Sequence, residues 1–269
     1  MKKSKRIGML IEELLSNPNK LFKSSYFCGK FGIAKSSLSE DLKTVAEIFS
    51  ASEHGTIKTV SGAGGGIKFV PGFSEHALKE LQTSLCCALD NSSRILGGKF
   101  LYTSDLLYNS FFIRNMALAF SEKFKNTNAD YVATIETKGI PLASAVAFFL
   151  NIPMVVIRRE PRYSEGSTVS INYFSGVNDR IHKMSISKRA VIEGKSAIII
   201  DDFTRGGGTI KGITEILSEF KVSVSGAGVA IASRHPEKKK ISNYSPIVYL
   251  DKIDEENGTV KASGNISFF

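Results

Sequence analysis

The sequence predicts an α/β protein in two parts: a small helical module closed by a two-stranded ribbon, then an open, mostly parallel sheet with flanking helices. Three observations carry that expectation. Apolar residues in the first fifty positions recur with helical spacing, two short β-prone runs follow with a glycine-rich tip between them, and from Tyr131 onward β-prone runs alternate with helical ones. A length of 269 residues suits two modest domains. With 42% hydrophobic and 23% charged residues the composition is ordinary for a globular chain, which excludes collagen, coiled coil and wholesale disorder.

Ile7, Leu10, Ile11, Leu14 and Leu15 form one apolar stripe of a helix that Asn17-Pro18-Asn19 stops. A shorter cluster, Tyr26, Phe27 and Phe31, ends at Gly32, after which Ser36 or Ser37 suits the cap of a third helix carrying Leu38, Leu42, Val45 and Phe49 on one face. Beyond Gly55 the runs Thr56 to Val60 and Ile67 to Val70 enclose the tip Ser61-Gly62-Ala63-Gly64-Gly65-Gly66. Three helices and a ribbon in this order make a winged helix-turn-helix, with Ser36 to Phe49 as recognition helix. Lys35, Ser36, Ser37 and Ser39 at its start suit contact with base edges in a major groove, Lys58 and Lys68 flank the wing tip, and Lys5 and Arg6 add charge at the start of the first helix. A helical cap or dimerisation module of the same shape is the competing interpretation.

Charge supports the nucleic-acid assignment. The chain carries 35 Lys+Arg against 26 Asp+Glu, a formal +9. Residues 1–70 hold eleven basic and six acidic residues of that total, so about a quarter of the chain carries over half of the excess. Three cysteines, two of them adjacent at Cys86 and Cys87, make neither a disulfide framework nor a four-ligand zinc site, and a reducing cytoplasm is the expected location. Glu12 and Glu13 interrupt the apolar run that a signal peptide would need after Lys2, Lys3, Lys5 and Arg6. The most apolar stretch, Gly139 to Leu150, falls short of the ~18 residues that a membrane span requires.

A helix with apolar positions Ala77, Leu78, Leu81, Leu85 and Ala88 follows a boundary near Pro71-Gly72, giving expected domains 1–73 and 74–269. The alternation then runs Tyr131 to Ile135, helix Ile140 to Leu150, Met154 to Ile157, Ala197 to Ile200, helix Thr209 to Phe220 and Val222 to Ile231. The sharpest segment is Ala197-Ile198-Ile199-Ile200-Asp201-Asp202-Phe203-Thr204-Arg205-Gly206-Gly207-Gly208-Thr209: a buried strand ends in two carboxylates, and a glycine-rich turn enters a helix. Backbone amides at such a helix start, with the hydroxyls of Thr204 and Thr209, suit a phosphate, and Asp201 and Asp202 suit the vicinal hydroxyls of a ribose.

That segment resembles the phosphoribosyl pyrophosphate (PRPP) signature of type I phosphoribosyltransferases. Glu136-Thr137-Lys138-Gly139 is similar to that family's pyrophosphate loop, Arg158 and Arg159 would add charge on the same rim or stand there as solvated strand-end residues, and Ser164 to Ser170 resembles its mobile lid. Arg205 would supply a further phosphate contact, while Phe203 and Tyr102 suit either stacking on a purine or the core. A winged helix in front of such a domain is a specific combination, and the whole chain resembles the purine operon repressors of Gram-positive bacteria. The matching residues are Ala34 to Leu42, the wing through Gly66, Thr137 to Ala143, Glu165 to Tyr173 and Asp201 to Thr209. Gly206, where many members have alanine, and Glu136, where a small residue is common, depart from the pattern; an acid beside a polyphosphate repels it or helps hold Mg²⁺.

The resemblance implies a homodimeric repressor of purine genes that binds double-stranded operator DNA. It implies a non-catalytic pocket for PRPP or a guanine nucleotide such as (p)ppGpp, with Mg²⁺ as companion, no resident metal and no membrane partner. The alternative is an active purine phosphoribosyltransferase with an appended regulatory domain; the candidate base-binding hood, Leu96 to Ser110, is apolar and aromatic without paired donors and acceptors.

Overall fold

The computed structural model describes all residues except 53, 63, 99, 162 and 175–180. The chain divides into two compact units, Met1–Ser74 with Phe148–Asn151, and Glu75–Ala147 with Ile152–Phe269.

The first unit contains helices α1 (Lys3–Ser16), α2 (Ser24–Phe31) and α3 (Lys35–Ser52), then strands β1 (Gly55–Val60) and β2 (Gly66–Pro71). The apolar stripes converge: Leu10, Leu14, Phe27, Phe31, Leu38, Val45 and Phe49 pack with Phe22, Ile67 and Phe69 in one core, and the rings of Phe49 and Phe69 stack at 4.5 Å. Leu15, at the margin of the first stripe, is exposed. Gly32 ends α2 in the left-handed conformation, which makes the tight turn into α3. The third helix starts earlier than its serines suggest. The Leu38 amide bonds the Ala34 carbonyl at 3.1 Å, so Ala34 occupies the cap position and Ser36 and Ser37 lie within the first turn. β1 and β2 pair antiparallel with Lys58 opposite Lys68, and Phe22 adds a bridge to Ile67.

The second unit begins with α4 (Glu75–Leu89), a short β3 (Ile95–Leu96) and β4 (Phe100–Leu101) pair, α5 (Ser104–Leu107) and α6 (Ser110–Phe124). Then come β5 (Tyr131–Ile135), α7 (Gly139–Leu150), β6 (Met154–Ile157), β7 (Thr168–Phe174), β8 (Ile181–Ser187), β9 (Ser196–Thr204), α8 (Gly208–Ser218), β10 (Ser223–Ser233), β11 (Ser245–Asp254) and β12 (Thr259–Gly264). The main sheet has the order β12-β11-β10-β9-β5-β6, parallel except for β12. Ile210, Ile213, Ile216 and Leu217 of α8 join Ala133, Ile157, Ile199 and Val229 in the core on one face. On the other, Phe120 and Phe124 of α6 lie against Gly228 and Gly226, where a Cβ would come within 2.6 and 2.8 Å of the rings. The expected β-run Val222 to Ile231 is β10, extended to Ser233 with an irregularity between Val224 and Gly226. Among the described residues no helix is long and apolar enough to cross a membrane.

Phe27 is fully buried and its ring contacts those of Phe22, Tyr26 and Phe31. Phe27→Ala should lower the stability of the N-terminal unit by about 3–5 kcal/mol, read as a lower urea midpoint of its helical circular dichroism.

Candidate functional site

Strand β9 ends in a turn of three glycines that opens α8. Gly206, Gly207 and Gly208 are all buried, Gly207 has φ 81°, and the Lys211 amide bonds its carbonyl at 3.0 Å to open α8. The next amides, of Gly208, Thr209 and Ile210, belong to the first helical turn and have no partner within the helix. No acidic residue sits in that turn, so the positive end of the helix dipole is uncompensated. Thr204 is buried, while Phe203, Arg205 and Thr209 are half-buried.

The two acids of the signature differ in surroundings. Asp201 is 2% exposed; its Oδ1 accepts the Asp202 amide at 3.0 Å, and the backbone of Gly139 lies close enough that a Cβ there would come within 3.0 Å of it and 2.5 Å of Thr134 Oγ1. Burial, and then the neighbouring Asp202 charge, raise the Asp201 pKa well above the ordinary carboxylate range. Asp202 is half-buried and also raised by burial, with Lys138 pulling the other way. The geometry thus leaves Asp202 as the accessible acid and Asp201 as the floor. Thr137 and Lys138 are exposed on the loop between β5 and α7, whose Glu136-Thr137 peptide is cis.

The arginine pair is split. Arg158 was expected to carry free positive charge on the rim; instead its guanidinium pairs with Glu136 at 3.0 Å and Glu165 at 2.5 Å, and its backbone bridges Ser185 of β8. Two carboxylates pair with it, and through Glu165 and Ser185 it links the end of β6 to the segment ahead of β7 and to β8. Glu136 also accepts the Arg159 amide at 2.9 Å, so this acid's charge is balanced by Arg158 and faces no polyphosphate alone. Arg159 keeps an exposed side chain whose charge acts on both Tyr173 and Asp201. Tyr102 is 47% exposed and follows β4, where its amide bonds the Arg94 carbonyl at 2.8 Å. Arg94 in turn makes a bidentate pair with Asp105, at 2.6 and 2.7 Å, which fixes this segment internally.

In the N-terminal unit Lys35, Ser36 and Ser39 are exposed and Ser37 half-buried at the start of α3, which has no acid in its first turn. Lys58 is exposed, and Lys68 is half-buried with Nζ 3.4 Å from Asn19 Oδ1. Lys5 is exposed. Arg6 is not a free cation: it holds Asp41 of α3 through two bonds of 2.7 and 3.1 Å, and Asp41 is fully buried. Its guanidinium, expected to add charge at the start of the first helix, makes an internal pair between α1 and α3.

Residues 2–71 match the family model of the bacterial purine repressor N-terminal domain, and residues 104–261 that of the phosphoribosyl transferase domain. A probable purine biosynthesis transcriptional regulator of Streptococcus pneumoniae is 39% identical over 99% of this chain and 98% of its own. The chain belongs to the bacterial purine repressor family. A purine biosynthesis transcriptional repressor of Bacillus subtilis is 36% identical over 100% of this chain and 94% of its own, and a purine biosynthesis transcriptional activator of Lactococcus lactis 33% over 99% and 98%. The adenine phosphoribosyltransferase of Thermoanaerobacter pseudethanolicus superposes with a TM-score of 0.52 at 18% identity, covering 64% of this chain and 99% of its own, which supports the fold of the second unit alone.

Two residues near these segments were not among the candidate residues. Tyr173, 5% exposed on β7, lies beside Gly212 of α8, and burial raises its pKa against the opposing pull of Arg159. Its place in the Glu165 to Tyr173 segment of the family resemblance was the available signal. Glu165, which pairs with Arg158, had no signal beyond its sequence neighbourhood. Because the folded Asp201 holds its proton more tightly than the unfolded chain does, its contribution to stability is largest in acid and falls as pH rises through the unfolded and then the folded pKa. Asp201→Asn, neutral at every pH, should raise the melting temperature at about pH 8, and this gain should shrink as pH falls to about 5.

Proposed function

We propose that this protein represses purine biosynthesis and transport genes by binding operator DNA as a homodimer through its N-terminal unit. PRPP and guanine nucleotides such as (p)ppGpp compete for the pocket at the start of α8 and set the operator affinity in opposite directions. The chain is a purine biosynthesis transcriptional regulator with a phosphoribosyltransferase-like domain, and the observation that carries the finer proposal is similarity to such regulators over both modules together. Repression follows the Bacillus subtilis relative, and PRPP is the ligand that relieves it.

The pocket residues support this assignment chemically. Amides at the start of α8 hold the ribose phosphate, Asp202 accepts from the ribose hydroxyls, and Lys138 and Arg159 face the pyrophosphate. Mg²⁺ ordinarily keeps several waters and takes one or two carboxylates plus the ligand's own phosphates, a role that Asp202 suits. Among the described residues no group of three or more His, Cys, Asp or Glu side chains is gathered to hold a metal alone. On the DNA side, Lys58 and Lys68 stand directly opposite each other, an arrangement that repels within a sheet and is relieved by an anion such as a phosphate over the wing.

The competing function, phosphoribosyl transfer to a purine base, requires a hood that positions and polarises the acceptor. Asp105 of the hood segment is engaged by Arg94, which lies just ahead of that segment, a pairing that favours sensing over catalysis. No transfer to adenine, guanine, hypoxanthine or xanthine is expected; turnover near the ~10 s⁻¹ median of enzymes would reverse the assignment.

Electrophoretic mobility shifts on DNA from upstream of purine genes test the rest. Lys35→Ala should weaken binding to all sequences, whereas changes at Ser36 or Ser39 should alter discrimination, and affinity should fall steeply with salt. PRPP should shift operator affinity by about 5- to 150-fold, the range of ordinary coupling energies. The Asp201→Ala, Asp202→Ala double variant should bind operator and ignore PRPP. Equal affinity for operator and random DNA, or release of the double variant by PRPP, contradicts the proposal.

A further inference from the structure

Behind the glycine turn lies a segment that neither the signature nor the proposed contacts use. Lys239, on the connection between β10 and β11, donates from Nζ to the Arg205 carbonyl and, at 2.6 Å, to the Ser233 carbonyl. The Lys240 amide donates to the Gly206 carbonyl at 2.8 Å. Ile241 fills the space beside Gly207, where a Cβ would come within 2.5 Å of its side chain. Three consecutive residues, 239 to 241, thus grip three consecutive residues of the turn, 205 to 207.

The consequence follows from peptide geometry. In a trans peptide the C=O and the next N–H point in opposite directions. Drawing the carbonyls of Arg205 and Gly206 toward residues 239 and 240 therefore directs the amides of Gly206 and Gly207 the other way. An ammonium has three donors and no acceptor, so two fixed carbonyls suit it, and its stem is half-buried. Burial, then the Arg205 guanidinium, lower the Lys239 pKa, the mark of a lysine held in place rather than one waving in solvent. Its neighbour Lys238 is exposed.

We infer that Lys239 is a positioning residue for the phosphate-binding turn, holding the carbonyls of Arg205 and Ser233 so that the amides leading into α8 stay aimed at an anion. This rests on the assignment of that turn as the PRPP pocket, and it adds a residue outside the signature on which effector affinity depends.

The test uses the full chain, calorimetric titration with Mg²⁺ and PRPP, and amide hydrogen exchange of the ligand-free protein. Lys239→Met should weaken PRPP by about ten- to a hundredfold, the scale of a lost hydrogen bond from a charged group, and should accelerate exchange at residues 206–209. Lys239→Arg should recover most of both, and Lys238→Met, which removes the same charge without touching the turn, should change neither. PRPP binding and exchange in Lys239→Met equal to wild type overturn the inference, as does an equal loss in Lys238→Met, which reduces the effect to net charge. Wild type that fails to bind PRPP, with exchange still accelerated in Lys239→Met, leaves the positioning role standing and removes the PRPP assignment instead. If Lys239→Met does not fold by circular dichroism, Lys239→Gln carries the same comparison.

Discussion

The second unit depends on β9 being buried on both faces. Ala197, Ile198, Ile199 and Ile200 are inaccessible to solvent, and the strand lies between β5 and β10 in parallel register. A strand with no polar face has one place for polar groups, its end. Because β5, β6, β9 and β10 run the same way, their carboxyl ends deliver Glu136, Arg158, Asp201 and Ser233 to one edge of the sheet, the edge where open α/β sheets bind ligands. The charge cluster there is a product of strand direction.

That cluster is organised by pairing. Asp201 would be costly as a lone buried charge and is driven toward its neutral form, while Asp202 is more exposed and lies near Lys138. Glu136 and Arg158 pair, and Glu165, ahead of β7, pairs with Arg158 as well. Lys138 and Arg159 are exposed at this edge, and Arg205 is half-buried in the turn itself. Two ion pairs of Arg158, one with Glu136 after β5 and one with Glu165 ahead of β7, thus join three segments at this edge of the sheet.

The same logic acts in the first unit. Asp41 sits without solvent contact on the inner face of α3, and the Arg6 guanidinium closes over it from α1. Hydrophobic packing through Leu10, Leu14 and Val45 sets the distance between those helices; a bidentate pair with fixed geometry sets their rotation and register. The exposed start of α3, with Lys35, Ser36 and Ser39, is presented by that pairing rather than by its own capping, since the cap position is an alanine.

Periodicity and motif spacing were sufficient for whatever is local in the chain. The stripes of α1 and α3, the ribbon around its glycine tip, the alternation from Tyr131 onward and the acid-acid-glycine turn before α8 are all written within a dozen residues, because helix and strand periods and turn stereochemistry act over that range. What tertiary structure alone decided concerns charge. Arg6 and Arg158 read as free cations in sequence, and their partners lie 35 residues away in Asp41 and 22 and 7 residues away in Glu136 and Glu165. Lys239, in a run of three lysines that looks like solvated surface, reaches the Arg205 carbonyl 34 residues upstream only because β9 and β10 are neighbours in the sheet. Coulombic attraction and hydrogen bonding act on spatial distance, and no spacing along the chain records which strand ends will meet.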